Sequence, residues 1–188
     1  LVVECKGTFT DPGATATDSC DANVVVNVTG TVNPDVVGEY TLTYTAVDAS
    51  GNSADPVTRT VQVVDTGKPV ITLLGASTMT VECKSTFTDP GATATDSCDA
   101  NVMVNVTGTV NPDVVGEYTL TYTAVDASGN SADPVTRTVQ VVDTVKPEIV
   151  LNGANPLVVE CKSTFTDPGA TASDACQGTV PVTNDAAT

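Results

Sequence analysis

Apolar and polar residues alternate with period two over much of the chain. In EYTLTYTAV (117–125), Tyr118, Leu120, Tyr122 and Ala124 fall on one face and Thr119, Thr121 and Thr123 on the other. Val102, Val104 and Val106 share a face opposite Met103, Asn105 and Thr107. No segment sustains the 3.6-residue period of an amphipathic helix. The pattern predicts strands at 69–74, 79–83, 92–96, 102–110, 117–125 and 135–142, about seven short strands per unit at the turn spacing of a sandwich. Turns are expected at Asp89-Pro90-Gly91, NPDVVG (111–116) and DASGN (126–130).

This strand set recurs. Cys5, Cys83 and Cys161 are 78 residues apart, and residues 5–66 match 83–144 at all but two positions, Gly7 against Ser85 and Val25 against Met103. The second difference lies on the predicted outer face, where side-chain volume is least constrained. The repeat frame predicts 1–66 as a copy lacking its first strand, 67–144 as a complete copy and 145–188 as a partial one. Copies short of strands would expose apolar faces and sheet edges. The chain is therefore read as a window on a longer array, or as a subunit whose ends neighbours complete. Leu1 falls within strand-like sequence, so any targeting segment is expected to lie outside it.

Composition agrees with an all-β fold. The 188 residues include 33 Val and 33 Thr, both β-branched and suited to a pleated, half-buried surface. Charge narrows the function. With 23 acidic residues, 7 basic ones and a net charge of −16, the chain lacks the basic patch that nucleic-acid binding needs, and it repels anionic membranes. No run of about 18 apolar residues predicts a membrane span. There is no His, hence no common general base or transition-metal ligand. Glu82 and Asp89 as an acid/base pair lack a nucleophile or pocket, so no enzyme is expected.

The strings FTDPGATATD, G-x-Y-x-L-x-Y-x-A-x-D-x-x-G-N and VVDTxKPxI are similar to bacterial immunoglobulin-like repeats of extracellular proteins, relatives of the HYR and DUF5011-type modules. The similarity covers nearly the whole chain. It implies Ig-like β-sandwiches in tandem, as beads on a string, and a role in surface adhesion or a structural stalk. Two cysteines per copy, where many relatives carry aliphatic residues, depart from that pattern.

Those cysteines are Cys5 and Cys20, Cys83 and Cys98, Cys161 and Cys176. The simplest of the 15 pairings closes one bridge inside each copy, because each pair recurs 15 positions apart. Such a loop contributes on the order of 3 kcal/mol. Cross-links between copies or chains, and free thiols, remain open. Zinc is disfavoured without a close Cys pair or His. Bridges predict an oxidising, extracellular setting at the cell surface.

Acidic residues supply the candidate metal site. If strands run alternately up and down, the turn after ATATD and the DASGN turn share the pole where the linker enters. Asp96, Asp99, Asp126 and Asn130 would then converge near Asp65, as hard oxygen ligands suited to Ca²⁺. The equivalent set is Asp18, Asp21, Asp48 and Asn52 in the first copy, and Asp143 with Asp174 in the third, where Gln177 replaces an Asp. Turn chemistry alone also accounts for Asp-x-x-Gly-Asn.

Weaker signals complete the reading. Asn27 and Asn105 open glycosylation sequons on outward strand positions. Lys68 or Lys84 could form an isopeptide bond, as in some adhesins. Tyr118 and Tyr122 are expected in the core. The expected function is a non-enzymatic extracellular rod or filament whose partners are neighbouring repeats or identical subunits. The alternative is an adhesin or spacer binding a glycan or a surface protein. The absence of Trp leaves no aromatic platform for sugars.

Overall fold

In the computed structural model, which describes residues 1–183, the chain is all-β, and none of the described residues is helical. The first copy holds β1 (Val2–Glu4), β2 (Val25–Thr29), β3 (Gly38–Val47) and β4 (Val57–Val64). The second holds β5 (Val70–Leu73), β6 (Thr78–Glu82), β7 (Ala92–Thr95), β8 (Val104–Thr107), β9 (Gly116–Ala124) and β10 (Val135–Val142). The third holds β11 (Glu148–Leu151), β12 (Ala170–Asp174) and β13 (Gly178–Val180).

The first two copies build the same sheet, β1-β4-β3-β2 and β6-β10-β9-β8. Strands β5 and β7 form a two-stranded sheet and β11-β12-β13 a three-stranded one. One expectation needs correction. Strands do not all alternate in direction, because β1 runs parallel to β4 and β6 parallel to β10, Val81 standing opposite Val141. The rest of each four-stranded sheet has the predicted alternation, with Leu120, Tyr122 and Ala124 buried and Tyr118 half-buried. Met103 is exposed. Gly108 ends β8 where a Cβ would stand 2.3 Å from the Thr119 carbonyl oxygen, so no other residue fits.

The described chain divides into two compact units that cut across the repeats. The first comprises Leu1–Thr72, Ala92–Asn105 and Thr123–Pro134. Its sheet core is Leu42, Tyr44, Ala46, Val61 and Val63. The second comprises Leu73–Gly91, Val106–Tyr122 and the residues from Val135 on. Its core gathers Val81, Leu120, Tyr122, Val139 and Val141 around an arginine.

That arginine is Arg137, whose side chain is 0% exposed. It shares a face of β10 with Val135, Val139 and Val141. It pairs with Asp89, donates to the Tyr122 hydroxyl at 2.8 Å, and donates to the carbonyls of Ala76 (3.0 Å), Leu74 and Gly91 (3.2 Å). Tyr122 also donates to Asp89 at 2.7 Å. A charge this deep is tolerated only when paired and fully hydrogen-bonded. Burial pushes the Asp89 carboxyl up, but Tyr122, the Gly91 amide and Arg137 outweigh it and hold it below its ordinary value. Burial, then Asp89, push the Tyr122 hydroxyl up to about 12. Asp89 is thus structural. In the first copy Arg59, Asp11 and Tyr44 repeat the triad, with the Arg59 side chain 26% exposed.

Candidate functional site

Two features coincide at each joint between copies: a disulfide and a carboxylate group. The bridges join Cys5 to Cys98 and Cys83 to Cys176, each spanning 93 residues with Cα atoms 6.0 and 5.6 Å apart. Cys20 and Cys161 are free and exposed. The expected pairing within a copy is therefore corrected: the bridges run from one copy to the next, and neither Cys5–Cys20, Cys83–Cys98 nor Cys161–Cys176 forms.

Strand direction explains this. Because β6 runs parallel to β10, Cys83 arrives where the next linker leaves, and its amide donates to the Val142 carbonyl at 2.7 Å. Cys5 does the same with Val64 at 2.6 Å. The second cysteine of each copy follows the ATATD-type segment at the entering linker instead. There Asp96 Oδ1 accepts from the amides of Cys98 (2.8 Å) and Asp99 (3.0 Å), a tight side-chain turn that presents the thiol. Asp174 presents Cys176 identically, at 2.7 Å. The two cysteines of one copy thus sit at its two ends, and each meets the neighbouring copy's.

Carboxylates surround the first joint. One oxygen each of Asp65, Asp96 and Asp126 lies within 4.8 Å of the others. Asp65 and Asp126 are 8% and 7% exposed. Asn130 clamps the group: its Nδ2 donates to the Asp65 carbonyl at 3.1 Å and to Asp126 Oδ2 at 2.9 Å, and its amide to Asp126 Oδ1 at 2.7 Å. Burial pushes Asp126 up, but the side chain and amide of Asn130 outweigh it and hold the carboxyl low. Asp99 stands outside the trio and braces the turn, accepting from the amides of Asn101 (2.9 Å) and Ala127 (3.0 Å).

The trio fits a hard cation. Three clustered oxygens supply part of the ligand shell of Ca²⁺. Gly67 keeps the space open: a Cβ there would stand 3.3 Å from Asp65 Oδ1 and 3.7 Å from Asp96 Oδ2. Linker sequence had marked the residue only as a joint. The corresponding residue at the second joint is Val145.

The other predicted sets are placed as follows. Asp18, Asp21, Asp48 and Asn52 form the same turn frame at the surface: Asp18 accepts from Cys20 at 2.8 Å, Asp21 from Ala49 at 3.0 Å and Asp48 from Asn52 at 2.7 Å. At the second joint Asp143 Oδ1 and Asp174 Oδ2 are buried and accept no hydrogen bond. Burial first, then the charges of Asp174 and Glu82, push the Asp143 carboxyl up. An acid with a raised folded-state value adds stability only below its ordinary titration range, so ionised Asp143 is a cost at neutral pH. Glu82 is held low by the amide and hydroxyl of Thr144, at 2.8 and 2.7 Å. Asn27 and Asn105 are exposed on β2 and β8. Lys68 and Lys84 form exposed ion pairs with Asp133 (3.0 Å) and Asp113 (3.2 Å), which carry little stability.

Sandwich strands in tandem, joined by bridges that need an oxidising compartment, define an extracellular Ig-like repeat protein. The family "Bacterial surface protein, Ig-like domain" matches residues 1–63 and 71–141, and the chain belongs to it. Its setting is extracellular, at the cell surface. It is 34% identical over 180 residues to hyalin of Strongylocentrotus purpuratus, covering 87% of this chain and 14% of that protein. It is 38% identical over 156 residues to hyalin of Lytechinus variegatus, covering 75% and 28%. An uncharacterized 81.3 kDa protein of Acholeplasma phage L2 is 34% identical over 153 residues, covering 76% and 19%. The chain spans less than a third of each relative's length.

Proposed function

We propose that the chain is a non-enzymatic structural element of a surface rod or filament, in which modules 1–66, 67–144 and 145–188 are successive beads and calcium stiffens the joints. The observation that carries this reading is the pair of bridges from copy to copy. A bridge within a module stabilises that module alone, whereas a bridge across a joint resists its extension and bending. The Pro-containing linkers at 65–69 and 143–147 restrict the same joint. Partners are then neighbouring repeats or identical subunits.

Calcium is assigned to Asp65, Asp96 and Asp126, with Asn130 as their clamp. At the second joint, Val145 and Gln177 make a weaker site of Asp143 and Asp174. Ca²⁺ at about 100 times its Kd adds about 2.7 kcal/mol of stability. Thermal unfolding in about 10 mM CaCl₂ against chelator is expected to show a Tm higher by several degrees, an effect that Asp126→Asn and Gly67→Val each abolish. An unchanged Tm in the parent chain removes calcium from the function and leaves the bridged array.

A further inference from the structure

We infer that Cys161 and Cys20 are the two halves of one more inter-repeat bridge, and that a second copy of this chain, docked head to tail, supplies the missing half. The inference rests on the bridged-array reading above. In both bridges, the first cysteine of one copy bonds the second cysteine of the next. Cys161 is a first cysteine without a following second, and Cys20 is a second cysteine without a preceding first. Their equivalents are bonded in this structure at both joints: Cys5 and Cys83 on one side, Cys98 and Cys176 on the other.

Both half-sites are already formed. Cys20 sits on the same aspartate turn as its bonded counterparts, with Asp18 Oδ1 accepting from its amide at 2.8 Å, against 2.8 Å at Cys98 and 2.7 Å at Cys176. Cys161 precedes Lys162 at φ 69°, as Cys5 and Cys83 precede Lys6 at 62° and Lys84 at 65°. The surface around Cys161 is also that of an uncovered joint. Cys83 and Val81 are 6% and 9% exposed, whereas Cys161 is exposed and Val159 is 45% exposed. Phe165 beside it is 61% exposed. Head-to-tail contacts of this kind do not close on themselves and propagate as filaments.

Each linkage converts two thiols to one disulfide. The Cys161 and Cys20 sulfurs bond, and their two protons and two electrons pass to a low-molecular-weight disulfide such as oxidised glutathione, which leaves as two thiols. The net charge of −16 on each chain opposes approach, so the reaction belongs in about 0.15 M salt, where charges beyond about 8 Å are screened.

The test uses the full chain with its two internal bridges formed, incubated with a glutathione redox buffer and read by non-reducing electrophoresis. The parent chain is expected to give a ladder beyond the dimer. Cys20→Ser alone and Cys161→Ser alone are expected to stay monomeric, while an equimolar mixture of the two gives a dimer and nothing longer. Both positions are exposed, so the substitutions leave the core untouched. Dimers of either single variant as abundant as in the mixture would overturn the inference, and so would a parent chain that stays monomeric with both thiols capped by glutathione. In either case the internal bridges, mapped in the same sample, show whether the array reading still stands.

Discussion

Arg137→Ala is expected to destabilise the chain by about 3–5 kcal/mol, the usual cost of stripping one partner from a buried ion pair. The substitution strands Asp89, the Tyr122 hydroxyl and three backbone carbonyls in the interior, and opens a cavity between Val135 and Val139. The repeat provides an internal control. Arg59 holds the same place in the first copy, but its side chain is 26% exposed and water can replace part of what it gives up. Arg59→Ala is expected to cost half as much or less. Urea unfolding of the two variants measures the difference through the midpoint. Equal losses would mean that burial does not set the value of the triad. Asp89 also sets an acid limit. Its carboxyl is held below the ordinary value, so the stability it contributes is present above about pH 4 and disappears as pH falls through the folded-state value.

Loss of a bridge is expected to cost about as much by a different route. Each bridge closes a loop of 93 residues, and a cross-link of that span removes about 4–5 kcal/mol of chain entropy from the unfolded state. A bridge confined to one copy would close a loop near 15 residues and contribute nearer 3 kcal/mol. Cys5→Ser and Cys83→Ser should therefore each lower stability strongly. Cys20→Ser, at an unbonded position of the same repeat, should leave the unfolding midpoint unchanged. A destabilising Cys20→Ser would point to a bridge at that cysteine and contradict the pairing described.

The sequence made the strands legible because the alternation is strict and repeats twice almost without change. Tyr118, Leu120 and Tyr122 needed only the period of two. It did not disclose the parallel edge strands: LVVEC reads equally well paired in either direction, and its partner lies some 60 residues away in the chain. The bridges were hidden for a related reason. With a repeat of 78, a separation of 15 and one of 93 connect the same two kinds of cysteine, and spacing alone cannot choose between them. The choice follows from the parallel pairing, which sends the first cysteine to the exit of its copy while the aspartate turn keeps the second at the entrance.

The acidic joint was legible in part. The Asp65, Asp96 and Asp126 convergence followed from counting strand directions, whereas the roles of Asn130 as clamp and Asp99 as brace required side-chain geometry. Arg137 was missed altogether. Its signal was present in VTRTVQV, where the arginine falls in phase with three inward-facing valines, and the two arginines of the chain occupy equivalent positions.

The central claim is that covalent bonds pass from each repeat to the next. Trypsin tests it directly, because every cysteine falls on its own peptide: 1–6, 7–59, 60–84, 85–137, 138–162 and 163–188, with Lys68 and Lys146 protected by the following proline. Peptides 7–59 and 85–137 differ in mass through Gly7 against Ser85 and Val25 against Met103. Mass spectrometry of the unreduced digest is predicted to find 1–6 joined to 85–137, and 60–84 joined to 163–188. Finding 1–6 joined to 7–59, and 60–84 joined to 85–137, would show each repeat bridged only to itself and would contradict the account.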